Sequence, residues 1–321
     1  RLEAINPPPV SLSTAACRGE RSISFFMDEL TLQFLGTGAA EGIPSPFCRC
    51  PVCENARKKG GKEIRLRSSF RVSKEVLVDF GPDVLASCAR FGLDLSDLRH
   101  VLITHTHEDH LDLGTLPLKP LLYKEGQDKI HIYLNGDACQ FPEALDKMGF
   151  CGQEHYFTEE YAKGYVFHRL SFFEPCRIGE HTVTPLKGEH PAHFEKNAAS
   201  YLFDLADGRR LLYALDTGHY AGETMDYLRG RALDLLVIEC TFGSMDRGDT
   251  PYSHLDLRSV LHLCSEFYAQ GTLTDHSRVY LTHINQVQNY THEQLEAICA
   301  EKSKSLPYLI TPAYDGMRID G

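Results

Sequence analysis

The stretch His100-Val101-Leu102-Ile103-Thr104-His105-Thr106-His107-Glu108-Asp109-His110 decides how the rest of the chain is read. Its first half is a short apolar run of the buried-strand type, and its second half is made almost entirely of metal-ligand residues. Neutral imidazole nitrogen suits Zn, Mn and Fe, and carboxylate adds the charge that holds a second ion. If strand geometry carries on past Thr104, His105 and His107 point to the same side, two residues apart. The turn that follows can bring Asp109 and His110 to a neighbouring ion, so one loop supplies two sites. The bland reading is an exposed loop that happens to be rich in histidine. Ligand types packed this densely, directly after a buried strand, argue against it.

Outward from this run, strands and helices alternate. Glu75–Phe80 reads as a buried strand, followed by a helix through Asp83–Arg90. Leu111–Tyr123 suits a helix broken by Pro117 and Pro120, Lys129–Leu134 a strand, and Ala138–Met148 a helix. Arg169–Phe173, Thr182–Leu186, Tyr201–Leu205 and Arg210–Leu215 read as successive strands, with Asp207-Gly208 as the hairpin turn between the last two. Leu233–Glu239 and Val279–Thr282 are further strands. Ser253 to Gln270 is the clearest helix, with Leu257, Val260, Leu261, Cys264, Phe267 and Tyr268 on one face and Ser253 with Asp256 at its start. Thr291-x-x-Gln294 caps one more helix. Upstream, Asp28–Leu35 alternates as a first strand, and Gly36-Thr37-Gly38 is a tight turn beside the site. Residues 1–26, with Pro7-Pro8-Pro9, show no periodicity. They are expected to form an N-terminal extension, disordered, foreign to the natural protein or ordered, ahead of one domain over 27–321.

Composition bounds the partners. Hydrophobic residues make up 42% and charged residues 24%, which is ordinary for a globular protein. No apolar run approaches the ~20 residues that cross a bilayer, and no signal-peptide pattern opens the sequence. A cytoplasmic protein without membrane attachment is expected. The net charge of −11 would repel a long nucleic acid. Two divalent ions would still draw a small anionic substrate to the site. Eleven cysteines without a secretory signal do not suggest a disulfide framework. Cys48, Cys50 and Cys53, in C-x-C-x-x-C spacing, stand apart from the scattered ones. Three thiolates there can hold a tetrahedral Zn with one outside ligand, or can simply be reduced cysteines in a loop.

The His-x-His-x-Asp-His core of 105–110 resembles the signature of the metallo-β-lactamase superfamily, and further motifs follow in that family's order over roughly residues 30–320. The resemblance implies an α/β fold, a four-layer αββα sandwich, which the alternation of elements also suggests. It implies that Asp79 orients the metal loop, that His190 is the third-motif ligand (with His193 as a nearby competitor), that Asp216 bridges two ions, and that His283 is the last ligand. One ion would then sit on His105, His107 and His190, and the other on Asp109, His110 and His283. Zn, Mn or Fe would all suit this set.

Within the superfamily, the cysteine loop resembles the cyclic phosphodiesterases of phosphonate breakdown, the carbon–phosphorus lyase accessory proteins. That branch completes a structural Zn with a histidine three residues after the last site histidine. Gln286 occupies that position here, and His292 is a candidate substitute. His254, at the start of the long helix, resembles the branch's extra active-site histidine. Its expected role is to contact phosphate or protonate the leaving oxygen, against the alternative of an exposed helix-start histidine. Asp109 is expected to be a ligand that also orients the attacking water. The resemblance thus implies a dinuclear hydrolase acting on a small phosphodiester, cyclic ones included, and a homodimer. Two other readings stay open. One is a tRNA 3′-processing-type endonuclease, which a basic arm would support, and no Lys/Arg-rich insertion lies between 111 and 282. The other is a non-catalytic accessory protein of cofactor biosynthesis, and such proteins tend to lose ligands that are all present here.

Overall fold

The computed structural model describes residues 30–112, 114–115, 128–140, 164–287 and 289–319. The expected extension over 1–26, most of the helix expected at Leu111–Tyr123 and most of that at Ala138–Met148 lie outside these residues. Leu111 itself is not helical; it bridges Phe80.

Two sheets face each other. The first takes β1 (Gln33–Gly36), β2 (Ser69–Arg71), β3 (Val76–Val78), β4 (His100–Leu102), β5 (Ile130–Asn135) and β6 (Tyr165–Leu170) in sequence order. The second takes β7 (Cys176–Ile178), β8 (His181–Lys187), β9 (Ala199–Asp204), β10 (Arg210–Ala214), β11 (Leu235–Glu239), β12 (Arg278–Thr282) and β13 (Leu309–Pro312), again in order. Each sheet opens with antiparallel pairs and closes with parallel ones. The helices are α1 (Pro51–Lys59), α2 (Val84–Phe91), α3 (Gly222–Leu228), α4 (Leu257–Ala269) and α5 (His292–Ser303).

Strand alternation explains the layers. Leu211 and Tyr213 of β10 and Leu235 and Val237 of β11 point between the sheets, where they meet Phe34, Phe70, Val78 and Leu102 of the first sheet. The rings of Phe70 and Tyr213 lie 5.5 Å apart across that layer. Leu212, Ala214, Leu236 and Ile238 point the other way, onto Val260, Leu263, Cys264 and Phe267 of α4 and Leu295 of α5. The outer face of the first sheet is covered by α2 through Val84, against Leu77, Val101 and Ile132. The result is the expected αββα sandwich. Strands covered on both faces read as continuous apolar runs, which is how β11 and β4 were legible.

Three expectations shift. Asp28–Leu35 narrows to β1, since Leu30 to Leu32 make no strand and residues 28–29 lie outside the described range. The strand expected at Arg169–Phe173 runs over Tyr165–Leu170, because Phe173 adopts a positive φ of 66° in the turn that follows. The long helix begins at Leu257 and not at Ser253. Asp256 is its N-cap, accepting from the backbone N–H groups of Arg258 and Ser259, while the Ser259 hydroxyl returns to the Asp256 backbone. Along α4, Leu263 is buried where Tyr268 was expected; Tyr268 is exposed and donates its hydroxyl to Asp275. The Thr291–Gln294 capping box on α5 forms as read from the sequence. Among the described residues, no helix is long and apolar enough to cross a membrane.

Candidate metal centre

The C-terminal ends of β3, β4, β8, β10, β11 and β12 open on one edge of the sandwich, and each delivers a polar side chain at its last residue or within three residues of it. Among the described residues, four of the six non-glycine residues with positive φ lie at this edge: Asp79 (62°), Asp216 (46°), Ser253 (75°) and His283 (55°). Each such conformation costs about 1–3 kcal/mol. A single fully buried core side chain contributes a similar amount, about 1.5–3 kcal/mol, so the packed sheets beneath can hold the strain in place.

The expected residues converge. His105 Nε2 and His107 Nδ1 are 2.9 Å apart, and His190 Nε2 lies 3.2 Å from the same His107 nitrogen. Asp216 Oδ2 lies 2.9 Å from His110 Nε2, 3.2 Å from His283 Nε2 and 4.0 Å from His105 Nε2. Asp109 Oδ2 lies 3.2 Å from His110 Nε2 and 3.8 Å from His283 Nε2. Asp216 therefore stands between the two groups that the sequence suggested. Of the two competing histidines, His190 joins the cluster; His193 is turned to the surface, 3.2 Å from Glu108.

Behind the cluster, the chain grips the far nitrogen of four imidazoles. Thr104 Oγ1 is 3.1 Å from His105 Nδ1, Asp79 Oδ2 is 2.8 Å from His110 Nδ1, Ser253 Oγ is 2.8 Å from His190 Nδ1, and Thr241 Oγ1 is 2.9 Å from His283 Nδ1. Such partners fix ring orientation and leave the other nitrogen facing inward. Asp79 also accepts from the Thr104 backbone N–H and hydroxyl. Glu195, absent from the sequence reading, accepts from the Thr106 backbone N–H at 2.7 Å and from its hydroxyl at 2.9 Å, tying the loop down from the other side. Gly81 lets the loop approach, since a Cβ there would fall 2.0 Å from the Asp109 carbonyl oxygen.

The electrostatics fit a cation. Burial, with neighbouring histidines, holds His105 well below the ordinary histidine value, and burial also lowers His107 and His190. They are neutral donors at pH 7. Burial opposes charge on Asp216 and Asp109, but His283 and His110 beside Asp216, and His110 beside Asp109, outweigh it and hold both carboxyls ionised. Burial also opposes charge on His110, yet Asp109, Asp79 and Asp216 around it push it well above its usual value. The His110 Nε2, His283 Nε2 and Asp216 Oδ2 atoms are buried and make no hydrogen bond, although the carboxylate oxygen lies 2.9 Å and 3.2 Å from the two nitrogens. Donor atoms that converge without hydrogen-bond geometry are what a shared ion would satisfy.

His254 sits at the rim of this cluster in the loop before α4, two residues ahead of the Asp256 cap, so no helix dipole acts on it as a first-turn residue. Its Nδ1 lies 3.0 Å from Glu239 Oε2 and 3.2 Å from Asp216 Oδ1. Burial disfavours its charged form, but Glu239 and Asp216 win and raise it to about 9, against a smaller opposing push from Arg247. Glu239 was missed in the sequence. Its signal is an acidic residue ending the otherwise apolar run Leu235-Leu236-Val237-Ile238. A cavity of about 200 Å³ opens over the cluster, lined also by Ala39, Ala40 and Glu41 after the glycine turn, and by Phe242, Asn285 and Val287.

The three cysteine sulfurs also gather, within 4.8 Å of one another, at the start of α1. Cys50 donates to the Gln286 backbone oxygen at 3.6 Å, and the Gln286 side-chain oxygen is buried with no hydrogen bond. His292 is engaged elsewhere: its Nδ1 faces Arg65 at 3.0 Å.

A family model for the beta-lactamase superfamily domain matches residues 74–284. Two curated relatives share short stretches. An octanoyltransferase of Porphyromonas gingivalis is 35% identical over 90 residues, covering 26% of this chain and 17% of that protein. Coenzyme PQQ synthesis protein B of Methylobacterium radiotolerans is 34% identical over 97 residues, covering 26% and 32%. The chain thus spans less than a third of either relative. Among solved structures, a diphosphatase from the PhnP family superposes with a TM-score of 0.66 at 23% identity, over 91% of this chain and 97% of that one. Zn²⁺-bound PqqB from Methylobacterium extorquens gives 0.62 at 17% identity, over 91% and 100%. The short form of human tRNase Z gives 0.56 at 19%, over 91% and 99%. At these identities the shared property is the fold.

Proposed function

The chain belongs to the beta-lactamase superfamily, and we propose that within it the protein is a metal-dependent hydrolase of a small anionic phosphodiester. One divalent ion is assigned to His105, His107 and His190, a second to Asp109, His110 and His283, with Asp216 shared. Two bound ions supply Lewis-acid polarisation of a phosphoryl oxygen and a water of lowered pKa. Zn and Mn both suit the donors, and the three gathered thiols suit a structural Zn held apart from the chemistry.

The observation that carries the phosphodiester reading is His254, wedged between Glu239 and Asp216 at the rim of the cavity. Glu239 holds its ring at the cavity rim, which places it to bind a phosphate oxygen or to protonate the departing one. Asp109, besides its place among the ligands, offers an ionised oxygen at the cavity wall that can orient the attacking water.

The test is hydrolysis of bis-p-nitrophenyl phosphate with metal analysis on the same sample. His254→Ala should keep the metal and lower turnover about 10²–10⁴-fold, and Asp216→Ala should lose both. Unchanged turnover in His254→Ala would sink its assigned role. Full metal content with no turnover would count against the phosphodiester reading.

A further inference from the structure

Three residues past Asp216 the chain begins a second group of metal-donor side chains, none of which lines the cavity. His219 Nε2 lies 2.7 Å from Glu266 Oε2, and His262 Nε2 lies 3.9 Å from Glu266 Oε1. His262 and Glu266 stand four residues apart on α4, so they project from one face of the helix, a turn apart. Their backbone is firm, because Leu263, Cys264 and Phe267 of the same helix are fully buried. His219 is held as well. Its backbone N–H donates to the Pro251 carbonyl at 2.9 Å, and the next residue, Tyr220, is buried with its ring 6.1 Å from that of Phe267. The two imidazole rings lie 6.2 Å apart. Two imidazoles that share one ion through bonds of about 2.0–2.1 Å hold their ring centres about 5–6 Å apart, so a small side-chain rotation closes the set. All three side chains are partly exposed, which leaves an entry path and room for water on the ion. Among the described residues no lysine or arginine pairs with Glu266. An ordinary ion pair needs one imidazole; this carboxylate is flanked by two, each with its Nε2 toward it.

We propose that His219, His262 and Glu266 bind a divalent ion of the zinc class, at a site separate from the histidine cluster and from the three thiols. Two imidazole nitrogens and one carboxylate oxygen, with water completing the shell, suit Zn, Co, Ni or Cu and not Mg or Ca. Bound there, the ion joins α4 to the turn that carries Asp216, whose Thr217 and Gly218 N–H groups Glu239 already holds. It is a staple on that turn and takes no part in the chemistry.

The test is calorimetry with Zn²⁺ on protein that has been loaded with metal and desalted, so that only tightly held ions remain, counted by elemental analysis. The wild type should take up one additional equivalent, and Mg²⁺ at the same concentration should not compete for it. His219→Ala, His262→Ala and Glu266→Gln should each weaken that uptake by at least about tenfold, since even the partners of metal ligands are worth about 10–100-fold in affinity. The count of tightly held metal should stay at the wild-type value in all three. Amide hydrogen exchange at residues 217–219 should slow when Zn²⁺ is added to the wild type and should not respond in the variants. No additional equivalent, a change below tenfold in any one variant, loss of the tightly held metal along with it, or competition by Mg²⁺ overturns the site. Uptake with unaltered exchange at 217–219 overturns the staple. None of these readouts needs turnover, so they stand apart from the test of the phosphodiester reading.

Discussion

Glu239 accepts from five donors: the Thr217 and Gly218 backbone N–H groups on Oε1, and the Thr241 hydroxyl, His254 Nδ1 and the Leu255 N–H on Oε2. Through them it positions the Asp216 turn, the His254 ring and, by way of Thr241, His283. A carboxylate can serve this many donors and an amide cannot. Glu239→Gln should therefore destabilise the protein by about 1–3 kcal/mol, the cost of leaving a buried donor unpaired, and should lower turnover while His105, His107 and His190 still bind metal. Urea denaturation and metal analysis check the two halves; wild-type stability together with wild-type turnover would refute it. The residues assigned to the ions are legible because their types are chemically rare in one place, as at 105–110. Glu239, Glu195 and Ser253 were not, because an acidic or hydroxyl residue shows its partner only once distant strand ends meet. Ser253 has the sequence signature of a helix start, and the fold uses it to hold His190.

At the scale of elements, apolar runs locate most central strands to within a residue or two, since burial on both faces leaves no polar interruption, whereas β1 and β6 start four to five residues from where they are expected and the short strands β2, β7 and β13 leave no run to read. Helix starts were less legible. Ser253 and Asp256 are both good caps, and the choice between them depends on tertiary partners: Asp256 is buried and also serves the Arg247 N–H, whereas Ser253 turns to His190. Asp256→Ala should cost about 1–2 kcal/mol, the value of an N-cap, read as a lower urea midpoint. A midpoint equal to that of the wild type would mean that α4 starts independently of its cap.

Taken whole, the molecule is closed by a buried hub that the sequence did not disclose. Arg65 donates to Thr37 and to the Ala313 carbonyl, and its other nitrogen faces His292 Nδ1 at the start of α5. Glu63 accepts the His292 backbone N–H. Thus β1, β13 and α5 meet at one guanidinium. Burial, together with Arg65 and Lys62, lowers His292 to about 3, whereas an unfolded histidine titrates near 6.5. The unfolded chain takes up the proton first, so this stability is complete above about pH 6.5 and is lost as pH falls toward 3. Between pH 7 and pH 5 the loss from this residue is about 2 kcal/mol. Urea midpoints at both pH values should show it, and His292→Gln should flatten the difference; an equally steep difference in the variant would assign the effect elsewhere. Finally, the assigned ligands run from His105 to His283 and come from both sheets. On a ribosome, a chain that has released everything through β11 still lacks His283, so the assigned ligand set is complete only once β12 has emerged. Capture of ions by the complete set would then follow the synthesis of both sheets and could not accompany that of the first alone.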